Sequence, residues 1–504
     1  MKFELVCLFK FSGDVDDKQD YITKLIKAAE EDLLKRGVPK DLEGGASVKD
    51  MIFHPHALEL KVVSDRYVRA HDAVFRLKKN LSRNLGKEYH IGIRGIDIIS
   101  YIVEFQCEFK PIEPVTVPFT EDIEFEERLC RFNASKLTQE QMENNYVDRI
   151  IKRIQEKVNA QHYKGKAEQW NLIWSSQEKR MVWDKDPTVE MEKRGWILKG
   201  PTKGKWFYKP QAAKILNTME RIAIEEVLQP LGFQEVIQSM MVPFDVWIDT
   251  GHMEGVPNEI YYVSEPLTRT PSEWEGFVDH VKIAREIPVA LLKELISEPR
   301  SGICYAQCPV IYWSLRNQTI ADESLPLLVY DRTVPSARYE SGGRHGIERV
   351  DEFHRIEPVY IGTLEQLTDL RESLIQRYTY VFEEVLELEW RMAQVEPFYL
   401  QQSGGTDKGA DENEGTIDFE AYLPYRGDRK ESEWLEFQNL SIFGKYTKVF
   451  NIKSQAKELY SGCSGIGLER WASAFLAQKG LEPGDWPERF REFHGDPPKG
   501  LKLL

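Results

Sequence analysis

The chain has 504 residues, of which 41% are hydrophobic and 30% charged, with a formal net charge of −15 and an isoelectric point near 5.4. This length predicts at least two domains, and the acidity argues against a general polyanion-binding protein. No apolar run approaches the roughly 18 residues of a membrane span. No signal peptide is recognisable either, so a cytoplasmic protein without a membrane segment is expected.

Residues 1–165 predict a separate α+β domain. Alternating apolar and polar residues indicate strands at Phe3 to Phe9, Ala57 to Val63 and Ile99 to Cys107. Stretches with helical character lie among and after them, at Tyr21 to Arg36, Tyr67 to Asn84 and Thr138 to Gln161.

A basic stretch lies within this acidic chain, between Arg66 and Arg94. Its cationic residues are Arg66, Arg69, Arg76, Lys78, Lys79, Arg83, Lys87 and Arg94. Several recur at helical spacing, which favours one cationic helix face that could bind a nucleic acid. A merely solvated helix face explains the same pattern equally well.

Residues 166–204 are predicted to be a linker, and residues 205–504 a second domain. That domain opens with a predicted helix, Ala212 to Gln229, followed by a predicted strand, Leu231 to Ile237, in a segment that ends at Pro243.

An insertion follows at about residues 271–300. Two helices are predicted there, Ser272 to Ala284 and Val289 to Ile296, separated by a break that contains Pro288. Because its helices carry many carboxylates, we interpret this helix-turn-helix as a mobile lid rather than as a DNA-binding element.

Two stretches rich in β-forming residues, Val329 to Tyr339 and Val350 to Ile361, predict a hairpin. The loop between them contains Ser341-Gly342-Gly343. The two-residue period of a strand places Asp351, Phe353, Arg355 and Glu357 on one face, an unusual composition for a core.

The side chains of this hairpin suit a nucleotide. Arg338 and Arg349 can grip phosphate with their forked guanidinium groups, and Phe353 offers a flat surface to a base. Glu340 can accept a hydrogen bond from an amino group.

A turn from strand to helix is predicted near the end of the chain. Gly462, Gly465 and Gly467 precede an apolar helical stretch, and glycines let a ligand approach the backbone closely. Arg470 lies in the first turn of the helix, where the unpaired amides also favour an anion.

These segments together resemble the class II aminoacyl-tRNA synthetases. Arg338-Tyr339-Glu340 with Phe353 to Glu357 resembles their motif 2, at about 329–361, and Gly465 to Arg470 resembles their motif 3, at about 462–478. The helix, strand and proline at about 212–243 resemble motif 1, which forms the dimer interface in that family. The resemblance implies an antiparallel-sheet catalytic domain flanked by helices, an α+β fold class and a homodimer.

The six cysteines are Cys7, Cys107, Cys130, Cys304, Cys308 and Cys463. Buried free thiols are the ordinary expectation in a reducing compartment. Cys463 precedes Gly465 by two residues, and Cys308 opens an apolar stretch, Pro309 to Trp313, that we predict to be a strand. Both should border the catalytic pocket. With Glu357 they supply the three protein ligands typical of a catalytic zinc that keeps one open position.

Within the family, that ligand set resembles the rare seryl-tRNA synthetase of some methanogenic archaea, in which Cys, Glu and Cys hold a zinc ion that binds the amino group of serine. Threonyl enzymes use Cys and two His instead. His354 alternates to the other face of its strand and His345 lies in the loop, so serine is favoured over threonine. Two segments, Ile417 to Pro424 and Glu436 to Ser441, also resemble paired strands of the seryl enzymes, although an ordinary amphipathic hairpin is the alternative.

The resemblance assigns roles residue by residue. It implies catalytic residues Arg338, Glu340 and Arg470; ATP-binding residues Arg338, Glu340, Arg349, Val350, Phe353, Glu436 and Arg470; serine-binding residues Ala306, Arg338, Arg355, Glu357, Asn439 and Ser441; and zinc ligands Cys308, Glu357 and Cys463.

The expected cofactors are one Zn²⁺ per subunit and Mg²⁺ with ATP. The expected partners are L-serine, ATP and tRNA(Ser), the last bound by the N-terminal domain, and whether tRNA(Sec) is also charged stays open. Another class II synthetase, for threonine or alanine, and a non-catalytic tRNA-binding paralogue are the alternatives.

Overall fold

The computed structural model describes residues 1–39, 42–162, 170–333, 335–340, 344–395, 415–430 and 432–500. The chain divides into two compact units, Met1–Ala167 and Glu168–Leu504. Within the described ranges, no helix combines the length and the apolar character needed to cross a bilayer.

The first unit is an antiparallel sheet packed against helices. Its strands are β1 (Lys2–Phe11), β2 (Ala46–His54), β3 (Ala57–Asp65), β4 (Ile93–Gln106), β5 (Glu121–Glu126) and β6 (Leu129–Asn133), in the order β2-β3-β1-β4-β6-β5. Its helices are α1 (Gln19–Glu31), α2 (Ala70–Tyr89), α3 (Gln139–Glu143) and α4 (Tyr146–His162). Alternate residues of β1 are buried and share one core with apolar residues of α1, α2 and α4. The predicted α+β character of this part of the chain is confirmed.

The basic stretch contains two kinds of residue. Arg69 donates to the Asp148 carboxylate from Nε at 2.8 Å and from Nη2 at 2.6 Å, and Arg76 donates to the Arg36 carbonyl at 2.7 Å. These two arginines therefore join elements within the unit. By contrast, Lys79, Arg83 and Lys87 are exposed on α2 at intervals of four residues, so they form one cationic stripe on the helix surface.

The second unit is built on a large sheet in the order β10-β15-β18-β23-β21-β20-β19-β7, with β24 pairing to β18 and β21. The strands before the hairpin region are β7 (Trp170–Ser175), β8 (Ile197–Lys199), β9 (Trp206–Tyr208), β10 (Gln234–Glu235), β11 (Met241–Pro243), β12 (Tyr262–Val263), β13 (Ser301–Ile303) and β14 (Thr319–Ile320). Those after it are β15 (Leu327–Asp331), β16 (Ser336–Ala337), β17 (Glu352–Phe353), β18 (Arg355–Gly362), β19 (Trp390–Val395), β20 (Gly415–Ala421), β21 (Leu435–Phe443), β22 (Lys453–Ser454), β23 (Tyr460–Cys463) and β24 (Ile466–Gly467).

The helices of this unit follow in chain order. They are α5 (Pro187–Lys193), α6 (Pro210–Ile222), α7 (Phe244–Thr250), α8 (His252–Gly255), α9 (Glu275–Ala284), α10 (Val289–Leu295), α11 (Cys308–Ser314), α12 (Leu364–Tyr380), α13 (Lys445–Val449), α14 (Leu468–Lys479) and α15 (Glu488–His494). Apolar residues of α6, α12 and α14 share the main core with the sheet, and Ile356 and Tyr360 of β18 point into it. Glu357 and Val359 alternate to the opposite face, which carries the site described below.

Four predicted elements differ from the observed ones. The segment predicted as a linker, 166–204, contributes β7 to the large sheet, where Trp170 pairs with Val395. The strand predicted from Leu231 to Ile237 shortens to β10, because Pro230 and Gly232 make a turn in which Gly232 has a φ of 82°.

The predicted hairpin is confirmed by the pairing of β15 with β18, but each arm is interrupted, and β16 pairs separately with β17. The tip of its loop, residues 341–343, lies outside the described residues. The stretch from Pro309 to Trp313 is helical in α11 rather than a strand. Its buried positions, Cys308, Ile311 and Tyr312, follow helical spacing, and proline suits a first helical turn.

Candidate active site

Arg338 follows β16 and is fixed by three neighbours. Its Nη2 donates to Glu340 Oε2 at 2.9 Å, and its Nη1 donates to the Tyr305 hydroxyl at 3.1 Å. Its guanidinium carbon lies 5.8 Å from the centroid of the Phe353 ring. A guanidinium group and a flat aromatic surface therefore lie side by side, an arrangement that suits a nucleotide.

Arg470 lies in the first turn of α14, opposite Arg338 in the same cavity. Its Nη1 donates to the Glu436 carboxylate at 3.0 Å and to the Glu436 carbonyl at 2.9 Å. The preceding residue, Glu469, is buried and accepts from the backbone N–H of His354 at 2.9 Å and from its ring at 2.7 Å. This pairing joins α14 to the strands that carry Phe353.

Two adjoining cavities lie over the face of the sheet that carries Glu357, which we call the reactive face. The first, of about 100 Å³, is lined by residues that include Arg338, Val350, Phe353, Glu436 and Arg470. The second, of about 290 Å³, is lined among others by Ala306, Cys308, Arg355, Glu357, Ser441 and Cys463. Five residues line both: Arg338, Glu340, Arg355, Glu436 and Asn439. The shared wall suits two substrates that react with one another.

Arg349 is the exception among the predicted site residues. Its Nη2 donates to Glu433 at 3.0 Å, and it is absent from the described lining of both cavities. The sequence analysis, in turn, missed Glu259, Tyr305 and His252, which line the second cavity. No local pattern marks them, although Tyr305 directly precedes the predicted Ala306. Burial lowers the pKa of His252 to about 3, with Lys445 and Arg355 adding to the shift, so its ring is neutral at physiological pH.

Cys308, Glu357 and Cys463 meet on the floor of the second cavity. Their ligand atoms all lie within 4.8 Å of one another, and all three residues are buried. Helix α11 supplies Cys308 at its first turn, whereas Glu357 and Cys463 come from the neighbouring strands β18 and β23. Arg355 lies beside Glu357 as an ion partner, yet within the described chain neither Glu357 oxygen makes a hydrogen bond of good geometry.

The electrostatics of this triad disfavour three negative charges. Burial raises the pKa of the Glu357 carboxyl, and the Arg355 guanidinium offsets part of that rise. The hydrogen bond with Cys308, together with burial, holds the pKa of Cys463 well above its ordinary value. The same hydrogen bond lowers the pKa of Cys308, but burial and the nearby Glu357 outweigh it and the net pKa is raised. A divalent cation would supply the compensating charge, and two thiolates with one carboxylate suit such an ion.

Two of the motif 3 glycines make room for neighbouring side chains. A Cβ on Gly462 would lie 2.0 Å from the Tyr360 ring, and one on Gly465 would lie 2.1 Å from Arg355 Nη2. Only a glycine fits at either position without displacing these groups. Gly462 therefore leaves room for Tyr360, and Gly465 leaves room for the arginine that stands beside the triad. Gly465 and Gly467 also line the first cavity, so close approach of a ligand to this segment stays a prediction.

The remaining predicted residues are held by the paired strands β20 and β21, which confirms the predicted pairing. Asn439 accepts from the Gly465 N–H at 2.8 Å, and Ser441 shares a hydrogen bond of 2.8 Å with the Thr416 hydroxyl. Both line the second cavity. Polar groups therefore line the same cavity as the triad.

Comparisons with known proteins agree with this geometry. A family of tRNA-binding domains matches residues 1–156. A type-2 serine–tRNA ligase of Methanococcoides burtonii is 45% identical over the full length of both chains, and one of Methanothrix thermoacetophila is also 45% identical over the full length of both. Among solved structures, M. kandleri SerRS in complex with A. aeolicus tRNASec superposes with a TM-score of 0.83 at 28% identity, covering 100% of this chain and 99% of that one.

The antiparallel sheet, the three motifs and relatives matched from end to end lead to one conclusion: the chain belongs to the type-2 serine–tRNA ligase family and is a class II aminoacyl-tRNA synthetase.

Proposed function

We propose that the enzyme activates serine with ATP to seryl-adenylate, with the help of a zinc ion, and transfers the seryl group to tRNA(Ser). The observation that carries the metal-dependent part is the buried triad of Cys308, Glu357 and Cys463 on the floor of the second cavity. A triad of this composition has no packing role that apolar residues would not fill better.

The residues present fit a zinc ion, one per subunit. One Glu357 oxygen and the two thiols provide three ligands, and the cavity leaves room on the fourth side. When bound there, zinc would supply a Lewis-acid contact for the amino group of serine. A site for threonine of the Cys and two His type is not supported, since His354 is engaged by Glu469 on the other face of the strand.

ATP is proposed to occupy the first cavity. Its adenine would stack on Phe353, with Arg338 on the α-phosphate and Arg470 on the γ-phosphate. Glu436, now paired with Arg470, would help to hold Mg²⁺. Each arginine is paired with a carboxylate beside it, so phosphate oxygens would replace Glu340 and Glu436 as its partners.

The serine carboxylate, lying between the two cavities, would attack the α-phosphorus and release pyrophosphate. The 3′-terminal ribose of the tRNA would then take the seryl group and release AMP. Positioning of the reactants and neutralisation of the phosphate charge by Arg338 and Arg470 account for most of the acceleration in this scheme. Asn439, Ser441 and Ala306 would surround the serine side chain.

The proposed partners follow from the same family. The match of residues 1–156 to tRNA-binding domains supports tRNA binding by the first unit, and the relative crystallised with tRNASec raises tRNA(Sec) as a second substrate. The segment at 212–243 is proposed to form a homodimer interface, and the enzyme is proposed to work in the cytoplasm.

The test is amino-acid-dependent exchange between ATP and pyrophosphate, run with all twenty amino acids. The proposal expects exchange with serine alone. Exchange with threonine or alanine would contradict the serine specificity without contradicting the class II fold. A protein that binds tRNA but supports neither exchange nor aminoacylation would be the non-catalytic paralogue.

A further inference from the structure

The reactive face of the large sheet extends beyond the second cavity to the edge strand β7. In the ladder Ser441 lies opposite Thr416, Thr416 opposite Val395, and Val395 opposite Trp170. Directly opposed residues in antiparallel strands point to the same face of a sheet. Ser441, Thr416 and Val395 line the cavity, so Trp170 continues that row past its rim.

A second row runs the same way, from Glu436 through Glu420 to Arg391. The guanidinium carbon of Arg391 lies 4.7 Å from the Trp170 ring centroid and 4.3 Å from that of Trp434. Arg391 is thus in contact with two indoles. We call Trp170, Leu172, Arg391 and Trp434 the aromatic shelf.

The shelf is exposed yet ordered. Trp170 is 41% and Leu172 53% exposed to solvent. The Trp170 indole nevertheless keeps one position, since its Nε1 donates to Glu420 Oε1 at 2.9 Å and Arg391 lies over its ring. An apolar ring held in place beside a substrate cavity can stack a ligand without a large loss of side-chain entropy.

Resting on the proposed function, we propose that the aromatic shelf binds the unpaired 3′-terminal nucleotides of the tRNA, with a base stacked on Trp170. The reacting ribose must reach the shared wall of the two cavities from the surface of the sheet, and the shelf is continuous with that wall. Proteins commonly recognise unpaired RNA bases by stacking them on aromatic or arginine side chains.

The charge and the size of the shelf favour unpaired bases over a phosphate group or a protein partner. Arg391 is paired with Glu420, so the shelf carries little net charge, and its contribution should come from stacking rather than from phosphate neutralisation. Its four side chains are also far fewer than the roughly 20 to 30 residues a side of a stable protein interface. A short stretch of bases fits such an area.

The experiment compares native enzyme with Trp170→Ala and Trp170→Phe. The matched control is Trp313→Ala. Like Trp170, Trp313 is partly exposed, at 37%, and has an arginine over its ring, Arg316 at 3.8 Å. Unlike Trp170, it lies on α11 and not on the aromatic shelf. Trp170→Ala should leave serine-dependent exchange unchanged and lower kcat/KM for tRNA by about 5- to 150-fold, the range that loss of one base stack gives. Trp170→Phe should restore most of that loss, and Trp313→Ala should match the native enzyme.

Binding of two tRNAs then locates the contact. Native enzyme should bind complete tRNA more tightly than tRNA without its last three nucleotides, by a similar factor, and Trp170→Ala should bind both equally. Retention of the native preference by Trp170→Ala overturns the inference, and so does an equal loss of both tRNAs or a changed oligomeric state in light scattering. If native enzyme fails to serylate tRNA, the proposed function fails, whereas this binding comparison still decides the role of the shelf.

Discussion

Zinc binding should release two protons from the protein between pH 6 and 8. Cys308 and Cys463 both have pKa values above that of an ordinary thiol, so both are protonated in the metal-free protein over this range. Zinc binds the thiolate, and each thiol must therefore lose its proton. The apparent affinity for zinc should consequently rise about 100-fold for each pH unit. The raised pKa of Glu357 would add to this dependence wherever its carboxyl is protonated in the metal-free protein.

Titration of metal-free protein with zinc in weak buffer and a pH indicator counts the protons, and chelator competition at three pH values measures the affinity. The matched control is Cys304→Ala. Cys304 is also buried, and burial raises its pKa to about 12, but it lies outside the triad, so two protons should still leave. Cys463→Ala should release one. One proton or fewer from the native protein, or an unchanged count in Cys463→Ala, would refute thiolate ligation.

Four further predictions concern other parts of the enzyme. Arg338→Ala should lower kcat for serine-dependent exchange by about 100- to 1,000-fold, since it removes a charge that faces the reacting phosphate, while circular dichroism stays native. Phe353→Ala should raise KM for ATP by about 5- to 150-fold in the same assay, through loss of base stacking. Glu348→Gln should lower the free energy of unfolding by about 3 kcal/mol in urea titrations at pH 7, because Arg426 loses a buried ion partner. Although burial raises the pKa of Glu348, the hydrogen bond from His345 and the charge of Arg426 outweigh burial, and the net pKa is lowered. The native protein should therefore hold this stability above the unfolded-state pKa and lose it as pH falls through the folded-state pKa, an acid dependence that the variant should lack. Replacing the stripe of Lys79, Arg83 and Lys87 by Gln should reduce the salt slope of tRNA binding by about two to three and leave exchange unchanged.

Much of the cavity proposed for ATP could be predicted from the sequence because its determinants are local. The two-residue period of a strand places Phe353, Arg355 and Glu357 on one face wherever that strand lies. The same period separates His354 from the triad, and its hydrogen bond to Glu469 confirms the separation. Helix geometry likewise places Arg470 at the first turn of α14 once the preceding glycines end the strand.

The observed elements differ from the predicted ones where the local structure depends on residues that are distant in sequence. A short apolar stretch such as Pro309 to Trp313 fits a buried strand and a buried helix equally, and packing decides for the helix. Strand β7 is held by its pairing with β19. No local sequence pattern indicates that pairing, and the segment is therefore predicted to be a linker. Arg349 pairs with Glu433 outside the described lining of both cavities, a contact that strand periodicity alone does not give, and its predicted contact with ATP stays a prediction.

The most direct test of the account is serine-dependent exchange by protein stripped of metal, measured before and after zinc is restored. The account predicts that exchange disappears without metal, returns with zinc in the native enzyme, and does not return in Glu357→Gln. Full exchange in metal-free protein, or zinc-restored exchange in Glu357→Gln equal to that of native enzyme, would contradict a role for the triad in holding serine.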